Sequence, residues 1–136
     1  MFTRILQLIF SVSTPNAPPP TVATPPVFLQ VGSLGPLLAG VYRSPHPENA
    51  DLVRWALMDV QGEAQRTVSP EAATLVHAID DFEMAVDEML ACAGEQYDES
   101  DRFWFKATLE QVSTEALDVA FALQSYLSRH PRSPFY

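Results

Sequence analysis

The apolar positions of residues 100–130 recur every three or four places: Phe105, Leu109, Val112, Ala116, Val119, Ala120, Leu123 and Leu127. That period is one stripe of a long helix. At about 100° per residue, Phe103, Leu117 and Phe121 fall on nearly the opposite side, interrupted by Glu110 and Thr114. A helix that is apolar on two sides needs something against both, so this element is expected to be central rather than a cover. Ser100 is the expected N-cap, and Pro131 ends the helix after Arg129 and His130, cations suited to a C-terminus.

Two more helices precede it. Residues 48–65 follow Ser44-Pro45-His46-Pro47, with Leu52, Val53, Ala56, Leu57, Val60 and Ala64 as the buried face and Trp55 and Met58 projecting elsewhere beside Asp51 and Asp59. Residues 69–94 open on Ser69-Pro70-Glu71: a capping side chain, a proline at the first helical position and an acid on the positive end of the dipole. Leu75, Ile79, Phe82, Val86, Met89, Leu90 and Ala93 form the stripe of this helix, and Gly94 stops it. Its opposite face carries His77, Asp80, Asp81, Asp87 and Glu88 around Met84. Residues 28–42 are apolar without a clean period. Ser33 as N-cap with Pro36 in the first turn predicts a short helix near 34–42 that buries Leu37, Leu38 and Val41 against one side of the central helix. No internal repeat or alternating strand pattern is present.

The first 27 residues read differently. Residues 13–27 hold six of the 12 prolines, which predicts an extended polyproline-like connector rather than a helix or strand. Before it, residues 1–12 (MFTRILQLIFSV) are apolar with one arginine. They read as a retained arm, with a secretory signal or an organelle transit peptide as the competing readings. The expected organisation is therefore an arm over 1–27 and an all-α antiparallel bundle of three main helices, with a short extra helix, over 28–136.

At 136 residues and 47% apolar composition, the chain is large enough to bury a core without staples. A single cysteine, Cys92, excludes an internal disulfide and favours an intracellular or organellar setting. No apolar run approaches the roughly 20 residues that span a bilayer. Charge sharpens the picture more. The formal net charge is −9, residues 1–47 hold no acid, and ten carboxylates with no Lys or Arg lie between Thr67 and Asp101. Direct binding of nucleic acid is disfavoured by repulsion from phosphate.

Catalytic chemistry finds few footholds. Cys92 is surrounded by acids, which disfavours the thiolate a nucleophile needs. His77 and Asp81, one turn apart, are expected to form a surface ion pair, and His130 to serve the helix dipole. Glu115 and Asp118 form an ExxD that resembles the second metal-binding motif of helical nucleotide pyrophosphohydrolases of the MazG type, whose first motif is EExxE. Such a likeness implies magnesium-dependent hydrolysis. The first motif is broken here, since Asp80-Asp81 is followed by Met84 and Asp87-Glu88 by Ala91.

The expected function is that of a non-enzymatic interaction subunit of a larger assembly or homo-oligomer, without cofactor or metal. The predicted partner interface is the surplus apolar set Trp55, Met58, Phe103, Leu117 and Phe121; the predicted acidic face is Asp80, Asp81, Asp87 and Glu88. The second reading is an acidic inhibitor or chaperone that masks a basic, nucleic-acid-binding partner protein. The third is the magnesium-dependent hydrolase.

Overall fold

The computed structural model describes residues 24–94 and 98–135; of the expected arm over 1–27, residues 1–23 lie outside the described residues, while Pro26 and Val27 belong to a 3₁₀ turn in which Val27 is buried. Among the described residues the protein is all-α, with four helices and no strand: α1 (Gly35–Arg43), α2 (Pro47–Gln65), α3 (Pro70–Ala93) and α4 (Glu99–Arg129). Two 3₁₀ turns, Pro26–Gln30 and Gly32–Leu34, lead into α1.

Local chemistry places the helix starts. Pro47 and Pro70 occupy first helical positions, each followed by an acid. The Ser69 hydroxyl accepts the Ala72 N–H at 3.1 Å, the expected cap of α3. Two expected caps are corrected. At α4 the cap is Asp98, whose carboxylate accepts the Asp101 N–H at 2.9 Å, so Ser100 sits inside the first turn. At α1 no side chain caps the helix and Ser33 lies within the second 3₁₀ turn. The left-handed backbone of Gly32 (φ 61°) redirects the chain so that this turn runs straight into α1.

The helices pack antiparallel to their neighbours. Arg54 pairs with Asp87 and Gln61 with Asp80, so α2 advances seven residues while α3 retreats seven. At the far side of α4, Ser113 donates to the Tyr42 carbonyl at 2.7 Å and Gln124 bonds to Gln30, so the segment over 24–43 runs against α4 in the opposite sense. The α3–α4 hairpin has the most extensive contact, and α1 touches both α2 and α4 to close the bundle. The N-terminal segment is thus the fourth wall. One core runs through it, including Val31, Leu38, Val53, Leu57, Leu75, Ile79, Phe82, Met89, Val112, Leu123 and Tyr126. Burying each of the large members contributes about 1.5–3 kcal/mol.

Some stripe positions differ from expectation. Leu52 is 64% exposed because it lies about 100° round α2 from Val53, on the solvent side with Trp55 and Asp59. Leu37 and Leu90 are also exposed, at the edges of their stripes. His130, expected only to serve the helix dipole, ties two helices together. Its Nε2 is hydrogen-bonded to the Ser69 hydroxyl at 2.9 Å, and its ring lies 4.7 Å from that of Tyr126. Beyond Pro131, Ser133 is buried and donates to Glu63 at 2.9 Å.

Candidate interaction surface

The exposed face of α3 is organised around Met84. Asp80, Asp81, Asp87 and Glu88 stand at its i−4, i−3, i+3 and i+4 positions, the four nearest places on a helix surface. All five side chains are exposed. Neighbouring helices divide the four acids into two rows. Asp80 and Asp87 face α2, where they take Gln61 (2.7 Å) and Arg54; Arg54 also reaches Asp51 at 4.0 Å. Asp81 and Glu88 face α4 and, among the described residues, carry no ion pair or hydrogen bond.

A groove flanks each row. Between α3 and α4 a depression of about 830 Å³ is lined by Met84, Ala85, Trp104, Ala107 and Thr108 and rimmed by Asp81, Asp87, Glu88 and Glu115. Trp104, 61% exposed, meets the exposed Phe103 edge to face with ring centroids 5.7 Å apart. Between α2 and α3 a depression of about 370 Å³ is lined by Trp55, Met58, Arg54, Gln61, Glu83 and Asp87. Asp87 borders both. Negative charge is crowded here: burial, then the Asp80 carboxylate, raises the pKa of Glu83 above its ordinary value, with Arg54 working the other way. Burial likewise raises Glu115, with Asp118 and Asp81 adding to the effect and the Gln111 hydrogen bond opposing it.

The five residues of the predicted interface do not form one patch. Trp55 and Met58 share the α2–α3 groove. Phe103 stands beside Trp104 at the start of α4, while Phe121, 51% exposed, is 18 residues on, about 27 Å along the helix. Leu117 is half-buried against the core. Phe121 instead borders a shallow depression of about 410 Å³ with His77, Asp81, Glu115 and Asp118. His77 and Asp81 share that wall, but the expected ion pair between them does not form. The ExxD carboxylates Glu115 and Asp118 also lie there. Among the described residues no group of three or more His, Cys, Asp or Glu side chains converges to hold a metal ion.

A fourth depression, about 370 Å³, lies at the end of the bundle among Glu63, Thr67, Tyr126, Arg129, His130, Arg132 and Ser133. Most of its polar groups are engaged with one another: Thr67 with Tyr126 at 3.4 Å, Ser133 with Glu63, and His130 with Ser69. Burial raises the Tyr126 phenol above its ordinary pKa, against the hydrogen bond with Thr67. These bonds join the start of α3 and the end of α2 to the end of α4.

Trp104 and Met84 stand outside the interface set that the sequence predicts. Their signal was present, because Trp104 lies inside an aromatic triplet and Met84 at the centre of the acid square. No protein-family model, curated protein or solved structure matches the chain.

Proposed function

We propose that this protein is a non-enzymatic interaction module that docks a protein partner through the surface spanning α2, α3 and α4. The observation that carries this reading is the edge-to-face pair Phe103–Trp104, standing exposed beside an apolar groove that Met84 also lines. Tryptophan and its neighbours in such positions are typical anchors of interfaces, and clustered exposed aromatics are costly to leave in water. Trp55 and Met58, across the α3 ridge, extend the same surface.

The second reading, masking of a basic partner, is favoured by the row of Asp81 and Glu88, two carboxylates left without partners among the described residues. It uses the same surface and describes the partner's charge rather than a different site. The hydrolase reading has less support, because the acids of α3 stand apart around Met84 and two of them are taken by Arg54 and Gln61.

The test is the mass of the particle that contains the chain, isolated at its natural abundance and measured by sedimentation. The expected result is a particle heavier than the 15.1 kDa monomer that Trp104→Ser reduces to the monomer. A wild-type chain that sediments alone refutes the reading.

A further inference from the structure

We propose that the α3–α4 groove receives an arginine-bearing amphipathic helix of a partner protein, whose cations pair with Asp81 and Glu88 and whose apolar side chains rest on Trp104 and Met84. This rests on the interaction reading above and gives it a site and a ligand chemistry.

The other side of the same ridge supplies the precedent. There α2 lies antiparallel along α3, placing Arg54 on Asp87 and, seven residues further, Gln61 on Asp80. Asp81 and Glu88 repeat that seven-residue spacing on the α4 side, about 10.5 Å along the helix. They border a groove of about 830 Å³ and have no partner among the described residues. Each row of the ridge lies along a helix of the bundle; the row toward α2 is paired with Arg54 and Gln61, and the row toward α4 is open at the mouth of the groove.

The spacing decides between a helical and an extended occupant. Two carboxylates about 10.5 Å apart match side chains at i and i+7 of a helix, which lie on one face. An extended chain covers that distance in about three residues, and side chains three apart in a strand point to opposite sides. Only a helix presents two cations and an apolar stripe to the groove together. The floor suits such a helix: Ala85 and Ala107 let a backbone approach, and Met84 adapts to its side chains.

Charge selects the cation. Besides Asp81, Asp87 and Glu88, the rim holds Glu115, so the groove attracts a positive segment and repels an acidic one. Arginine fits better than lysine, since its planar guanidinium takes a carboxylate in bidentate fashion and stacks on an indole such as Trp104.

The experiment titrates the full chain, carrying Trp55→Phe so that Trp104 alone reports, with a 21-residue synthetic helix of leucine stripe and arginines at heptad spacing. Saturable one-to-one binding with a blue shift of Trp104 emission is expected. Asp81→Asn with Glu88→Gln should weaken it at least tenfold, whereas Glu48→Gln with Glu110→Gln, equal in charge but elsewhere, should weaken it less than twofold. A peptide with its arginines moved to i and i+5 should also bind at least tenfold more weakly. Melting curves check that each variant is folded. The proposal is overturned if both double variants weaken binding equally, if the i and i+5 peptide binds as well, or if no saturable binding occurs. Such a failure, with a heavy particle still broken by Trp104→Ser, removes this site chemistry and leaves the interaction reading standing; a monomeric wild-type particle removes the interaction reading itself.

Discussion

The side of α4 that carries Phe121 gives a prediction whose magnitude follows directly from burial. A helix with Phe103, Leu117 and Phe121 opposite its main stripe asks for a cover on that side. The segment over 24–43 packs instead on the flank that carries Ser113 and Gln124, and Phe121 stays 51% exposed. Full burial of a phenylalanine is worth about 1.5–3 kcal/mol, so the half that is buried here is worth about 1 kcal/mol. Alanine's higher helix propensity returns a few tenths of that, on the order of 0.5 kcal/mol. Phe121→Ala should therefore cost the monomer about 0.5–1 kcal/mol. Phe82, at the centre of the core with 0% exposure, is the reference, and Phe82→Ala should cost about 3–5 kcal/mol. For a cooperative unit of this size each kcal/mol moves the melting temperature by about 4 °C. The expected shifts are then about 2–4 °C for Phe121→Ala and about 12–20 °C for Phe82→Ala. Thermal melts followed by far-ultraviolet circular dichroism, at a concentration where sedimentation shows only monomer, measure both. A Phe121→Ala shift beyond about 10 °C would mean that this side is covered within the monomer, and the reasoning from exposure fails.

Other substitutions probe the scaffold. Ser69→Ala removes both the cap of α3 and the bond to His130, and should cost about 1–2 kcal/mol in a chemical-denaturation midpoint; Ser100→Ala, inside the first turn of α4, should cost less than about 0.5 kcal/mol. Gly35→Ala should be strongly destabilising, since a Cβ there would stand 2.0 Å from the Phe28 carbonyl oxygen, whereas Gly62→Ala meets only the end of the Arg66 side chain at 3.5 Å and should raise the melting temperature by about 2–4 °C. Glu115 has a folded-state pKa above its ordinary 4.5, so its stabilising contribution is complete below about pH 4.5 and lost as pH rises through the raised value. Melts of Glu115→Gln should consequently show a gain over wild type at pH 7 that disappears at pH 4; an equal gain at both values would place its origin outside ionisation.

The sequence was most informative where the determining interaction is local. Ser69-Pro70-Glu71 carries its own cap, proline and acid, and α3 begins there. The cap of α4 was harder to read, because Asp98 and Ser100 are both good capping residues and the choice falls on the one whose backbone is extended (φ −141°) as the chain enters the helix. Ser33 gave a false start for α1 because the turn at Gly32 replaces a side-chain cap with a 3₁₀ entry. On the candidate surface, the square of acids around Met84 follows from helix spacing alone. Its division into an engaged row and an open one does not, since that depends on where α2 lies and on the pairing of Arg54 with Asp87, 33 residues away. Phe103 and Phe121 share an angle on the helix wheel, but the wheel carries no distance along the axis, and 18 residues separate them.

The bond between Ser69 and His130 has a consequence for how the bundle opens. Helix termini usually fray first, and the last turn of a 31-residue helix followed by proline would be an early place for water to enter. Here that turn is fastened to the first turn of α3, with Tyr126 on Thr67 and Ser133 on Glu63 beside it. The α3–α4 hairpin is joined by the chain at one end and clasped by side chains at the other. Amide exchange should therefore be slowest toward Tyr126 and Leu127 and fastest near residue 99, so that α4 peels from its beginning, the end that displays Phe103 and Trp104.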